Sequence, residues 1–201
     1  LELRAVDPVA IEDVQVYPDA DHKLARVRLT VANLTGKPAK GTITLTATDR
    51  QRGQKTAPVS LEFTATRQQT ALSKEFPMGD EVRLWDEFSP NRYRLTVGLA
   101  AGSGGKTFSD SRQVSFGMRE FRTQGTQFTI NGRPTFLRGT LECCIFPLTG
   151  YPPTDVEGWR RIIRVAKSHG LNHFRFHSWC PPEAAFEAAD REGFYLHVET
   201  P

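Results

Sequence analysis

Residues 135–201 read TFLRGTLECCIFPLTGYPPTDVEGWRRIIRVAKSHGLNHFRFHSWCPPEAAFEAADREGFYLHVETP, and this stretch decides the fold. Three short apolar segments alternate with two helical patterns. The first, FLRG, shows little alternation, as expected of a strand buried on both faces. Pro152-Pro153 then opens a helix, with Thr154 and Glu157 spaced as a capping box. Val156, Trp159, Ile162, Ile163 and Ala166 fall on one face at helical spacing, and Gly170 supplies a left-handed stop. Leu171 to Phe176 is the second strand. Pro181-Pro182-Glu183 opens a second helix with Ala185, Phe186 and Ala189 facing inward, Gly193 ends it, and Phe194 to Val198 is the third strand. Strand, helix, strand, helix, strand with short connections predicts parallel βαβ units, the opening of a β/α barrel. Spacing alone does not separate a barrel from an open, flavodoxin-like sheet.

Upstream the period changes. Asn131-Gly132 between FTI and RPTFL is a hairpin signal, because Asn-Gly supplies the two positive φ values of a type I′ turn. Before it, Ile11 to Val16, Leu24 to Ala32, Thr42 to Thr48, Val59 to Phe63, Tyr93 to Leu99 and Gln113 to Phe116 alternate apolar and polar residues, punctuated by turn residues. About seven such strands with no helical pattern between them predict a β-sandwich. No Cys…Trp…Cys spacing is present, so core packing alone must hold it. Tyr17-Pro18-Asp19 reads as a turn. Gly102-Ser103-Gly104-Gly105 lies between two strands and precedes no helix, so it reads as a hairpin loop and not a phosphate loop. Trp85, beside Leu84 and Phe88, is expected to plug the end of the sandwich core. The expected organisation is multidomain β and α/β: 1–10, the last strand of a preceding domain plus linker; 11–118, the sandwich; 119–201, an unfinished barrel.

A formal net charge of +3 with scattered basic residues excludes a nucleic-acid footprint. No apolar stretch is long enough to span a bilayer, and LELRAVDPVA has neither the basic region nor the apolar core of a signal peptide. The chain does not begin with Met and looks cut from something longer, so compartment stays open. The three cysteines, Cys143, Cys144 and Cys180, are too few and too poorly spaced for a disulfide framework or a zinc site. They are read as free thiols, and no metal or other cofactor is expected.

In a parallel barrel, reactive groups sit where strands end and loops begin. Here those ends carry Arg138, Thr140, Glu142 and Cys143, then Arg175, His177, Ser178, Trp179 and Cys180, then Glu199. Carboxylates and arginines offer paired hydrogen bonds, and Trp offers an apolar face for C–H groups. The set suits a hydroxyl-rich ligand such as a carbohydrate. The candidate binding residues are Arg138, Glu142, His177, Trp179 and Glu199; no catalytic residue is assigned. Arg138 and Arg175 have an equally good reading as structural ion-pair partners, and His173 and His197 read as packing residues. Neighbours on a strand point to opposite faces, so Ser178 and His177 are poorly placed to share a proton.

Four segments, LWDEFSPNRYRL, FGMREF, FTINGRPTFLRGT and GLNHFRFHSW…AADREGFYLHVE, together resemble the glycoside hydrolase family 2 enzymes, which include β-galactosidases, β-glucuronidases and β-mannosidases. The resemblance covers nearly the whole chain. It implies an immunoglobulin-like sandwich followed by the first three strands of a truncated (β/α)8 TIM barrel, and a carbohydrate substrate for the full-length protein. It also implies a retaining mechanism whose two glutamates lie beyond Pro201, so that the fragment itself is inactive. Two departures stand out. Leu141-Glu142-Cys143 replaces the family's Asn-x-His run, and Phe176-His177-Ser178-Trp179 replaces its Ser-His-Tyr-Pro. Both point to an altered sugar pocket. The competing reading is a non-catalytic carbohydrate-binding or scaffold module with a degenerate barrel. Three strands of eight would leave an open edge and an uncovered apolar face, which predicts self-association through the unfinished barrel, or mobility of that half.

Overall fold

The structure is a computed structural model and describes residues 5–199. The chain divides into two compact units: residues up to Arg83 with Arg92–Met118, and Leu84–Asn91 with the residues from Arg119 onward. Of the strand and linker expected over residues 1–10, residues 1–4 lie outside the described residues.

The first unit is an antiparallel sandwich of seven strands among the described residues: β1 (Val9–Asp19), β2 (Leu24–Asn33), β3 (Ala39–Asp49), β4 (Val59–Ala65), β5 (Gln69–Pro77), β6 (Tyr93–Ser103) and β7 (Lys106–Phe116). They form a three-stranded sheet, β1-β2-β5, and a four-stranded one, β4-β3-β6-β7. Alternation does what the period-two pattern requires: Ala25, Val27, Leu29 and Val31 of β2, and Ile43, Leu45 and Ala47 of β3, are buried with Leu95, Val97 and Leu99 of β6. Strand β5 was not expected, because QTALSKEFP offers only Leu72 and Phe76 as large apolar residues on its inward positions. The turn expected at residues 17–19 is strand instead. Pro18 pairs opposite Ala25 on the edge strand β1, where its missing N–H interrupts no sheet. The chain reverses at residues 20–23, with Lys23 at φ 51°. Strand β1 begins at Val9, two residues before the expected start, with Val9 and Ala10 both buried. Gly104 and Gly105, both at positive φ, close the β6–β7 hairpin.

The second unit opens with an antiparallel meander, β8 (Phe121–Gln124), β9 (Gln127–Ile130) and β10 (Arg133–Thr135). Asn131 (φ 51°) and Gly132 (φ 75°) make the β9–β10 turn. A parallel sheet follows: β11 (Gly139–Glu142), helix α1 (Val156–Ser168), β12 (His173–Phe176), helix α2 (Glu183–Glu192) and β13 (Tyr195–Val198), in the order β11-β12-β13. The first parallel strand is therefore GTLE and not FLRG. It is largely exposed, and Phe136 is exposed as well, so burial on both faces does not occur.

Helix α1 is capped by Asp155, whose carboxylate accepts from the Gly158 N–H at 2.8 Å, one residue later than the expected Thr154. Its end is a Schellman turn: Gly170 (φ 80°) donates to the Lys167 carbonyl and Leu171 to that of Ala166. Helix α2 buries Ala185, Ala188 and Ala189, whereas Phe186 faces solvent. The narrow alanine stripe packs with Trp159, Ile163 and Ala166 of α1 and with Phe174, Phe176 and Phe194 in one core. Gly193 ends α2 at φ 68°, and a Cβ there would lie 2.6 Å from the Glu87 carbonyl oxygen, so this position admits only glycine.

Trp85 is buried as expected, but in a different core. It packs edge-on to Tyr195 at 5.7 Å, with Ile130 as third member, and its indole N–H donates to the Asp190 carbonyl at 2.8 Å. Arg119 lies over its ring at 4.8 Å. The segment Leu84–Asn91 is thus part of the second unit.

Candidate functional site

Strand alternation puts Phe174 and Phe176 under the helices and His173 and Arg175 on the opposite face. In-register pairing sets His197 beside Arg175 on that face. The rings of His173 and His197 stack at 6.2 Å. Burial first, and His197 second, hold the His173 imidazole below its ordinary pKa.

Where the three strands end, four of the predicted residues come together. Glu142 closes β11, and its carbonyl accepts both the His177 backbone N–H at 2.9 Å and the Trp179 indole N–H at 3.2 Å. The Trp179 ring stands edge-on to Phe176 at 5.3 Å, one face of it being part of the helix-side core. Glu199, just past β13, forms an ion pair with Arg175 and accepts the Ser178 N–H at 3.1 Å. The Nε2 of His177 stands 3.9 Å from the same carboxylate. The bond from Arg175 holds the Glu199 carboxyl below its usual range against the opposing effect of burial, and the Ser178 N–H adds to it. The His177 side chain is about half exposed. Cys143, Cys144 and Cys180 are free and exposed.

The fifth predicted residue is elsewhere. Arg138 precedes β11, and its guanidinium donates to the Gly170 carbonyl at 2.8 Å and pairs with Glu87 at 3.4 Å. Its backbone N–H donates to Asn172 Oδ1 at 2.7 Å. These contacts lie at the N-terminal ends of the strands, away from Glu142, His177 and Glu199, so the structure does not bring Arg138 together with the other four. Asn172 completes that network by donating to Glu87 at 2.6 Å and to the Phe136 carbonyl at 3.0 Å. Sequence reasoning left Arg175 out of the binding set. The signal for it was its spacing on β12, two residues before His177, on the face away from the helices. Glu87 and Asn172 carried no such signal.

Residues 9–119, more than half of the chain, match the family model described as glycosyl hydrolases family 2. The chain belongs to glycosyl hydrolase family 2. This family 2 chain is 30% identical over 151 residues to a β-galactosidase of Rhizobium meliloti, covering 74% of its own length and 19% of that enzyme's. It is 26% identical over 193 residues to an exo-β-D-glucosaminidase of Amycolatopsis orientalis, covering 90% of itself and 16% of the relative. In fold it is similar to the crystal structure of a family 2 member from Bacteroides cellulosilyticus DSM 14838, with a TM-score of 0.81, 21% identity, and coverage of 97% of this chain and 27% of that one. The chain thus spans less than a third of the length of each of these proteins.

Proposed function

We propose that this chain is the sandwich, expected over 11–118 and here starting with β1 at Val9, and the first part of the (β/α)8 barrel, residues 119–201 joined by Leu84–Asn91, of a longer retaining glycoside hydrolase. Of residues 1–10, only those before Val9 are assigned to a preceding domain and linker in this reading, because Val9 and Ala10 belong to β1. One observation carries it: in a family 2 chain, three parallel strands gather Glu142, Arg175, His177, Trp179 and Glu199 at their C-terminal ends. That is the end at which β/α barrels do chemistry.

In this reading His177, Arg175 and the exposed edge of Trp179 form one wall of a sugar subsite, with Glu142 and Glu199 behind them. Arg138, bonded at the other end of the sheet, takes no part. The bond-breaking carboxyls are two glutamates beyond Pro201, set about 5–5.5 Å apart as retention requires. One protonates the leaving oxygen while the other attacks the anomeric carbon. The chain alone is then inactive. Among the described residues β11 and β13 each pair on one side only, with β12, and such edges favour self-association.

The test is to assay the full-length protein beside this chain on chromogenic β-galactoside, β-glucuronide, β-mannoside and β-glucosaminide. Release from one of these by the full-length protein, and none by the chain, is the expected result. No release from any of them by a folded full-length protein would overturn the hydrolase reading in favour of a non-catalytic carbohydrate module.

A further inference from the structure

Two residues at the strand ends, Cys144 (φ 57°) and Ser178 (φ 58°), hold a left-handed backbone that L side chains adopt only at a cost. Such a conformation persists where the surroundings over-determine it. In both cases the backbone N–H of the left-handed residue is bound by a glutamate carboxylate. Glu142 accepts from Cys144 at 3.1 and 3.2 Å, and Glu199 accepts from Ser178 at 3.1 Å. The same device thus appears twice, built from different strands.

We infer that Glu199 is a positioning residue for the turn after β12: clamped by Arg175, it keeps Ser178 left-handed and so fixes where His177 and Trp179 stand. Both Glu199 oxygens are committed, Oε1 to Arg175 and Oε2 to the Ser178 N–H. The backbone of Glu199 is tied as well, its N–H donating to the Phe176 carbonyl at 3.1 Å. From the other side, the Glu142 carbonyl takes the His177 N–H and the Trp179 indole N–H. The turn is therefore held from β11 by a carbonyl and from β13 by a carboxylate. The His177 ring stays about half exposed towards a ligand, with Nε2 3.9 Å from Glu199, beyond hydrogen-bond distance. The inference rests on the sugar-site reading only for what His177 and Trp179 would face. Its test uses no sugar, so failure of one is distinguishable from failure of the other.

The three indole N–H groups provide the readout. Each is bonded to a different carbonyl: Trp85 to Asp190, Trp159 to Pro153 and Trp179 to Glu142. In NMR spectra of the chain, Glu199→Ala is expected to shift the Trp179 indole resonance while those of Trp85 and Trp159 stay in place. Exchange of the Ser178 amide should quicken at least about tenfold, as expected of a lost charge-assisted bond. Adding Ser178→Gly to Glu199→Ala removes the steric cost of the left-handed turn, and should return the Trp179 resonance towards its original position. A merely structural glutamate would not give that rescue. An unchanged Trp179 resonance in Glu199→Ala, or no return in the double variant, overturns the inference. Should Glu199→Ala unfold the unit, Glu199→Gln, which keeps the volume and loses the ion pair, is read by the same resonance; no shift there overturns it equally.

Discussion

At the N-terminal ends of β11, β12 and β13, Asn172 is 2% exposed and bonds Arg138, Glu87 and the Phe136 carbonyl. Lys167 reaches the carbonyls of Glu87, Glu192 and Gly193, the last two at the end of α2. At the C-terminal ends the Arg175 and His177 side chains are each about half exposed, and the Glu199 carboxylate they flank is partly exposed as well. The same residue types thus do different work at opposite ends of one sheet. At the N-terminal end the carboxylate and amide, Glu87 and Asn172, are buried and bonded, with Arg138 reaching Glu87 from solvent; this network sets the fold, because an unpaired buried partner is costly. A cluster with donors still facing water can exchange that water for a ligand.

The sharpest way to break this contrast is at the base. Trp85→Ala removes a large buried ring together with its bond to Asp190 and should destabilise the second unit by about 3–5 kcal/mol. All three tryptophans of the chain lie in this unit, so urea unfolding followed by fluorescence of the remaining two reads it directly. Amide exchange in β3 and β6 of the sandwich should not change; acceleration there would return Trp85 to the sandwich core. Asn172→Ala comes next, at about 3 kcal/mol, because it strands the Arg138 N–H and the Glu87 carboxylate in a buried setting. At the opposite end Arg175→Ala should cost less than about 1 kcal/mol, as exposed ion pairs do. Equal losses at the two ends would dissolve the distinction.

That distinction was only half legible in the sequence. The Asn131-Gly132 turn, Gly170 and Gly193 could be read because each depends on its own φ. The βαβ order could be read because the helical face of Trp159, Ile163 and Ala166 is a local pattern. Membership of a core is not local. Trp85 announced burial, yet its neighbour Tyr195 lies over a hundred residues away. The first parallel strand was misplaced because FLRG is more apolar than GTLE, while pairing with β12 selects Gly139–Glu142. A Cβ at Gly139 would fall 2.3 Å from the His173 ring, so close strand approach decides there, and hydrophobicity does not. That Glu142, His177, Trp179 and Glu199 lie together could be read because strand ends are recognisable. What the two glutamates hold was hidden, since it depends on the backbone angles of Cys144 and Ser178.

Acid separates these groups in a graded way, with the smallest expected effect. His173 is half-buried between Gly139 and His197, on the face that also carries Arg175, and its pKa is depressed by burial and then by His197. A depressed histidine stabilises the fold fully above its unfolded value of 6.5, and that contribution is lost as pH falls through the lower folded value. Glu199 is also depressed, chiefly by Arg175. For Glu192 burial acts upward, but Arg164 and Arg160 outweigh it and the net shift is down. These carboxylates contribute above their unfolded value of 4.5, and their contribution disappears at more acid pH. The urea midpoint of the second unit should therefore fall in two stages, a shallow one starting near pH 6.5 and a steeper one below pH 4.5. His173→Gln should flatten the first stage and leave the second intact, whereas Arg175→Ala should weaken the second. A first stage that survives His173→Gln would mean another histidine carries it, and the stacked pair would then be passive packing.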